Sequence, residues 1–192
     1  RRLRQSCGET AWQSRFRFSI MMRYHIPALL DESMAGLNLR PDGIYVDVTY
    51  GGGGHSAAIL KHLTTGRLIA FDQDPDASVN IINDERLTFL NQNFRYLKNN
   101  LRYLGISAID GLIADLGVSF HQFDSPERGF SFRNDAELDM RMNPGARVKA
   151  SDILRTCDEE QLADIFYRYG ELTNSGKLAA AIVNARAKSP VV

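Results

Sequence analysis

A run of four glycines, Gly51 to Gly54, separates two segments with different apolar periodicity. Residues 43–50 before it are rich in β-branched and aromatic side chains, which predicts a strand. Residues 55–63 after it carry alanine, isoleucine and leucine at helical spacing, and a second apolar run follows at 67–72. A strand, a tight loop, a helix and another strand in this order are typical of the unit from which parallel α/β sheets are built.

The alternation of strands and helices continues to residue 116. The further segments are a short helix from Pro75, a strand at 87–91, a helix at 94–104 and a strand at 109–116. A helix at 27–39 precedes the first strand. We therefore predict an α/β fold in which helices cover both faces of a parallel sheet.

The pattern changes beyond Gly117. An irregular stretch reaches residue 150, and helices are predicted at 151–169 and 175–187. Ser151 and the acids at 158–160 resemble the signals that begin helices. The second part of the chain is therefore expected to be mainly helical.

Charge is balanced over the whole chain, with 23 basic and 23 acidic residues, but it is unevenly distributed. Residues 1–23 hold six arginines and one glutamate, which leaves 17 basic and 22 acidic residues for the rest. This argues against one dominant basic face for nucleic acid, so any RNA contact must be local. We interpret residues 1–21 as a leader upstream of the folded domain, because Met21 and Met22 directly precede the first patterned segment. A basic arm or a transit-like peptide is the alternative.

The two cysteines, Cys7 and Cys157, lie far apart without CxxC spacing, so the sequence predicts no metal site and no redox pair. This fits a reducing, cytoplasmic setting. The apolar stretch at 109–118 is interrupted by two aspartates and is far shorter than the roughly 20 residues that a bilayer span needs. We therefore expect no membrane segment.

Ligands of open α/β sheets bind at the carboxyl ends of the strands, where this sequence places several acids. Asp47 lies four residues before Gly51 and suits a cationic ligand such as S-adenosylmethionine, which has no pyrophosphate. The alternative is that Asp47 orders the loop. The dinucleotide fingerprint G-x-G-x-x-G is only partly met, because Ser56 stands at the third glycine position.

Asp72 ends the second strand about 20 residues after the loop, where a carboxylate can accept both hydroxyls of an adenosine ribose. Asp74 competes for this role, although a helix cap before Pro75 suits it better. We therefore choose Asp72 as the candidate for the ribose.

Three further residues each have two interpretations. Phe94, after the third strand, either lies against an adenine ring or belongs to the core. His55 either orients the ligand or begins the helix. Asp115, after the fourth strand, either binds the amino group of a nucleophile and accepts its proton or bonds to loop amides.

Residues 123–149 interleave three phenylalanines with arginines, a composition typical of surfaces that stack bases and hold phosphates. Five acids in the same stretch equal its five bases. An RNA-binding surface and a lid held by internal salt bridges therefore both stay open.

Six motifs follow one another along the chain. They are Tyr-His-Ile-Pro-Ala-Leu-Leu at 24–30, Val-Asp-Val-Thr-Tyr-Gly-Gly-Gly-Gly-His-Ser at 46–56, Phe-Asp-Gln-Asp-Pro at 71–75, Asp-Gly-Leu-Ile-Ala-Asp-Leu-Gly-Val-Ser at 110–119, Glu-Arg-Gly-Phe-Ser-Phe-Arg at 127–133 and Leu-Asp-Met-Arg-Met at 138–142. Together they closely resemble the ribosomal RNA small subunit methyltransferase H family, also called MraW. The resemblance runs from Met22 to the end of the chain, and the number and order of the motifs argue against a chance match.

The resemblance implies a Rossmann-like core that depends on S-adenosylmethionine and is interrupted by a helical domain. Residues 22–120 would be the N-terminal part of the core, and 121–192 a linker with an incomplete helical domain. The implied reaction methylates the exocyclic N4 amine of a cytidine near the decoding centre of bacterial 16S ribosomal RNA. The implied partner is this RNA or the assembled small subunit; no membrane partner is implied, and a homodimer stays open.

By matching motifs, the resemblance also implies which residues contact S-adenosylmethionine: Gly53, Gly54, His55, Asp72, Phe94, Asp115 and Gln122. Two departures from the family pattern are visible. Phe120 stands where the family commonly has a second serine. Members also continue well past the position of Val192 to complete the sheet, so we expect a chain truncated at its C-terminus.

Two other functions stay open. A nicotinamide-dependent oxidoreductase shares the alternating sheet, the glycine loop and the acid after the second strand, although Ser56 and Asp47 argue against it. An inactive fragment that only binds a cofactor or RNA is the second alternative.

Overall fold

The computed structural model describes residues 27–189. The chain divides into two compact units, an N-terminal unit that ends at Asp115 and a C-terminal unit that begins at Leu116. The basic leader at 1–21 and the first three positions of the 24–30 motif lie outside the described residues.

The N-terminal unit alternates strands and helices as predicted. Its elements are α1 (Leu30–Leu37), β1 (Ile44–Asp47), α2 (Gly54–His62), β2 (Arg67–Phe71), a 3-10 helix (Pro75–Asn80), β3 (Leu87–Leu90), a second 3-10 helix (Phe94–Tyr96), α3 (Leu97–Tyr103) and β4 (Gly111–Ile113). Within the described residues the strands form one sheet of order β3-β2-β1-β4, and every pair is parallel. The predicted α/β fold with a parallel sheet is confirmed.

Both faces of the sheet are covered, which explains why the central strands are almost entirely apolar. On one face Tyr45 and Leu68 pack with side chains of α1 and α2. On the other face Val46 and Ile69 pack with side chains of α3. Alternate residues of a strand point to opposite faces, so neighbours in β1 and β2 enter two different clusters.

The fourth strand is shorter than predicted, with three residues in place of 109–116. At its start the Asp110 carboxylate accepts a hydrogen bond from the Ile44 amide at 2.7 Å and pairs with Arg40. At its end the Asp115 amide donates to the Thr49 hydroxyl at 2.8 Å. Side chains therefore replace regular backbone bonds at both ends of β4.

The C-terminal unit is mainly helical, as expected. Its elements are α4 (Phe120–Asp124), a 3-10 helix (Pro126–Arg128), α5 (Ala150–Thr156), α6 (Glu159–Arg168) and α7 (Ser175–Arg186). The single helix predicted at 151–169 is wrong: Asp158 caps α6 by accepting from the Gln161 amide at 2.8 Å, which separates α6 from α5. The short α4 lies in the stretch that was predicted to be irregular.

Between residues 27 and 189, no helix combines the length and the apolar composition that a membrane crossing would require.

Candidate functional site

The glycine loop between β1 and α2 adopts a backbone conformation that favours glycine. Gly51 has φ +51° and Gly53 has φ +77°, both in the left-handed region. A Cβ atom at Gly53 would lie 2.7 Å from the Tyr50 hydroxyl oxygen. The loop therefore requires glycine at both positions, and it lies at the carboxyl end of β1, where a ligand of this fold class would approach.

Tyr50 anchors the loop and was not singled out by the sequence. Its hydroxyl donates to the Asn80 carbonyl at 2.8 Å and accepts from the Ile82 amide at 3.0 Å. Its ring meets Phe89 edge to face with centroids 5.0 Å apart. Burial of the phenol raises the pKa of Tyr50. The loop is thus fixed to the chain that connects β2 to β3.

Asp47 lies at the end of β1 and is buried, with 1% of its surface exposed. One carboxylate oxygen accepts from the Ser56 hydroxyl at 2.7 Å, and the other accepts from the Thr49 amide at 3.0 Å. Burial raises the pKa of Asp47, although both hydrogen bonds act in the opposite direction. The structure therefore shows Asp47 ordering the loop, by tying the end of β1 to the first turn of α2.

Asp72 follows β2 and reaches the glycine loop. One of its carboxylate oxygens accepts from the Gly51 amide at 2.7 Å, and the other accepts from the Asp74 amide at 2.8 Å. Burial raises the pKa of Asp72. Asp74 itself accepts from the Asp76 amide at 3.1 Å and caps the 3-10 helix, as predicted. The Asp72 carboxylate therefore joins the glycine loop to the carboxyl end of β2.

Amide side chains join the carboxyl ends of β2 and β3. Asn91 donates to the backbone carbonyls of Asp72 and Asp74, at 2.9 and 3.1 Å. Asn93 donates to the Gln73 side chain at 2.6 Å. Phe94 follows directly and is 41% exposed, so it is not a core residue. Phe94 begins the 3-10 helix after β3, the strand that pairs with β2.

Asp115 lies just past β4 and is exposed. Its backbone amide is held by the Thr49 hydroxyl. No residue in the described part of the chain donates a hydrogen bond to its carboxylate, so the loop-amide interpretation finds no support among these residues. A carboxylate without such partners is available to a molecule that approaches from solvent.

His55 and Gly54 face the segment that precedes α1. The His55 Nε2 atom lies 3.3 Å from the Ala28 carbonyl, and the side chain is buried. A Cβ atom at Gly54 would collide with the Pro27 ring. These two residues bring residues 27 and 28 against the first turn of α2. Their predicted ligand contacts stay predictions.

Gln122 belongs to the C-terminal unit and is buried. Its side-chain oxygen accepts from the Ser119 amide at 3.1 Å, and the Ser119 hydroxyl accepts from the Gln122 amide at 3.2 Å. This capping box begins α4 next to Phe120, the position that departs from the family pattern. The predicted contact of Gln122 with a cofactor stays a prediction.

The stretch 123–149 is held by internal ion pairs. Arg141 pairs with Asp139 at 2.6 Å, and Lys149 pairs with Glu137 at 2.7 Å. Arg128 donates to the carbonyl of Arg141 at 3.0 Å. These bonds favour the salt-bridged interpretation for that part of the stretch. Phe132, by contrast, is completely exposed, so the alternative of a stacking surface stays open at that position.

Comparison with known proteins gives a consistent assignment. A family model described as the MraW methylase family matches residues 22–192. The ribosomal RNA small subunit methyltransferase H of Phocaeicola vulgatus is 58% identical over 170 residues, which cover 88% of this chain and 56% of the relative. The protein of that name from Bacteroides fragilis is 60% identical over 164 residues, which cover 85% of this chain and 54% of the relative. The one from Flavobacterium johnsoniae is 54% identical over 171 residues, which cover 88% of this chain and 57% of the relative. The chain spans about half the length of the curated relatives it matches.

Proposed function

The chain belongs to the MraW methylase family, and from this premise we propose that it carries the cofactor site of a ribosomal RNA methyltransferase. The reaction is methyl transfer from S-adenosylmethionine to the N4 amine of a cytidine in bacterial 16S ribosomal RNA near the decoding centre. The observation that carries the proposal is the sheet edge of the N-terminal unit. There the parallel strands bring the glycine loop, Asp72, Phe94 and Asp115 to their carboxyl ends.

The residues at this edge fit S-adenosylmethionine. The glycine loop lies at the carboxyl end of β1, and a side chain at Gly51 or Gly53 would be strained, with one at Gly53 also colliding with Tyr50. A dinucleotide site would need a third glycine at Ser56, but this side chain is completely buried and bonded to Asp47. The relatives named as methyltransferases support the same choice over a nicotinamide cofactor.

Each residue is given one task in the proposal. Asp72 accepts the ribose hydroxyls, Phe94 lies against the adenine ring, and the backbone at Gly53 and Gly54 approaches the ligand closely. His55 holds the first turn of α2 in place through Ala28.

When bound, S-adenosylmethionine supplies a methyl group on a sulfonium, which is already a good electrophile. The residues of the chain must orient the two reactants and remove a proton from the amine. The lone pair of the cytidine amine is conjugated with the ring, so the amine becomes more nucleophilic as its proton leaves. The exposed carboxylate of Asp115 would accept this proton as the nitrogen takes the methyl group, and S-adenosylhomocysteine would be the product that leaves. We place the reaction in the cytoplasm, on free RNA or on the assembled small subunit.

Calorimetry with three ligands tests the cofactor site. We expect the chain to bind S-adenosylmethionine and S-adenosylhomocysteine but not NADH. Asp72→Ala is expected to weaken both affinities on the order of 100-fold, because a hydrogen bond to a charged group contributes about 1.5–3 kcal/mol. Asp42→Ala, at the exposed turn before β1, is the matched control and should bind normally.

The folding of each variant is checked by circular dichroism, since Asp72 also holds the Gly51 amide. Binding of NADH in preference to S-adenosylmethionine would support the oxidoreductase alternative. Normal affinity in a folded Asp72→Ala variant would remove Asp72 from the proposed site.

A further inference from the structure

The last hydrogen bond between β1 and β4 is made by a side chain. The Val48 amide donates to the Ile113 carbonyl at 3.1 Å, as expected for parallel strands. A regular ladder would continue with a bond from the Asp115 amide to the Val48 carbonyl. Here the Asp115 amide donates instead to the hydroxyl oxygen of Thr49, at 2.8 Å. The backbone position of Asp115 is therefore set by the Thr49 side chain.

Thr49 is itself held by a buried group. Its amide donates to the Asp47 carboxylate at 3.0 Å, and its hydroxyl donates to the same carboxylate oxygen at 3.5 Å. The other oxygen of Asp47 accepts from Ser56 in the first turn of α2. Asp47 and Ser56 are both buried, so water does not compete for these bonds. The chain of contacts runs from α2 through Asp47 and Thr49 to Asp115.

We propose that Thr49 is a positioning residue for methyl transfer, whose hydroxyl holds Asp115 where its carboxylate can receive the proton of the amine. The inference rests on the proposed function, because it presupposes the role of Asp115. Thr49 is half-buried at the junction of the glycine loop and the end of β4, so one side chain sets the spacing between them. A misplacement of about 1 Å in a reacting group can lower the rate on the order of 100-fold.

The inference requires that residue 49 carry a hydroxyl that accepts the hydrogen bond from the Asp115 amide, so it can be tested by substitution. Valine has nearly the shape of threonine but cannot accept the Asp115 amide bond, whereas serine can. A role in packing alone would tolerate valine at least as well as serine, because valine keeps both branches of the threonine side chain. The two variants therefore separate positioning from packing.

The rate measurement uses a chimera in which the remaining length of the Bacteroides fragilis relative follows this chain. Thr49→Val is expected to lower kcat between 10- and 100-fold, with the Kd for S-adenosylmethionine unchanged within two-fold. Thr49→Ser is expected to keep at least half of the rate. Thr64→Val is the matched control and should not change kcat, since the exposed Thr64 hydroxyl donates to the Pro41 carbonyl before β2, at the opposite edge of the sheet.

A second measurement does not depend on activity and uses the 192-residue chain alone. The amide proton of Asp115, observed by NMR, should move upfield in Thr49→Val, because it loses its acceptor, and should stay in place in Thr49→Ser. An unchanged Asp115 amide in Thr49→Val would overturn the inference. Equal loss of rate in the valine and serine variants would also overturn it.

Asp115→Ala in the chimera separates the two proposals. Full turnover without the Asp115 carboxylate would reject its role in the reaction, and the role of Thr49 would fall with it. If Asp115→Ala is inactive and Thr49→Val retains full kcat, only the inference about Thr49 is overturned. Loss of kcat in both Asp115→Ala and Thr49→Val, with the rate kept in Thr49→Ser, supports the inference about Thr49.

Discussion

Tyr50→Phe removes one oxygen atom from the core and should loosen the glycine loop. The ring and its edge-to-face contact with Phe89 stay, so no large cavity forms. What is lost is the pair of hydrogen bonds that the hydroxyl makes with the Asn80 carbonyl and the Ile82 amide. Tyr50 is only 2% exposed, and its side chain cannot exchange these partners for water.

The magnitude follows from the two bonds. Each contributes about 0.5–1.5 kcal/mol net, so the free energy of unfolding should fall by about 2 kcal/mol. With a denaturant slope of about 2 kcal/mol per molar urea, the midpoint of urea unfolding shifts down by about 1 M. For a chain of this size the melting temperature falls by about 4–8 °C.

Urea unfolding followed by circular dichroism measures this loss, with Tyr103→Phe as the matched control. Tyr103 is 89% exposed, so its hydroxyl already faces water and the control should stay within about 0.5 kcal/mol of the parent. If Tyr50→Phe were as stable as Tyr103→Phe, the Tyr50 hydroxyl would not anchor the glycine loop, and the prediction would be refuted.

Two further predictions concern the same loop. Gly53→Ala should lower the free energy of unfolding by more than about 1 kcal/mol, because φ is +77° and the new Cβ would lie 2.7 Å from the Tyr50 hydroxyl. The control is Gly36→Ala in α1, which has open space around it and should raise the free energy of unfolding by about 0.5–1 kcal/mol. Thermal melts measure both changes, and equal effects of the two variants would contradict the predicted strain at Gly53. Burial raises the pKa of Asp47, so the native state holds the proton more tightly than the unfolded chain, and the contribution of Asp47 to stability falls as pH rises above the usual aspartate pKa of 3.8. Urea unfolding at several pH values between about pH 4 and 7 gives the slope of the free energy of unfolding against pH. Asp47→Asn should remove the part of this slope that comes from Asp47, and an unchanged slope would argue that Asp47 is not buried as a charge.

The sheet could be predicted because hydrophobic periodicity is a local signal. The central strands β1 and β2 are buried on both faces, and their short apolar runs are visible in the sequence without knowledge of any partner. The candidate residues at strand ends follow from the same pattern, since a polar residue that closes an apolar run in a parallel sheet lies at one edge. Asp47, Asp72 and Asp115 were found in this way.

The contacts that order the site could not be read in the same way, because their partners are distant in sequence. The Tyr50 hydroxyl bonds to Asn80, 30 residues away, and the Thr49 hydroxyl bonds to Asp115, 66 residues away. No spacing rule connects such pairs. The length of β4 was overestimated for the same reason, because periodicity does not show where a side chain takes over a backbone bond. The break before α6 is visible in the sequence, because Asp158 and the two acids after it form a local signal for the start of a helix.

The two roles considered for Asp47 can now be separated on physical grounds. A carboxylate that binds a cationic ligand gains from that charge only if the ligand can reach it, whereas Asp47 is only 1% exposed. Asp72 and Asp115 lie at the same sheet edge and are both more accessible. Acids at these strand ends therefore differ in accessibility: the buried Asp47 on the central strand β1 orders the loop, and the more exposed Asp72 and Asp115 stay the candidates for ligand contact.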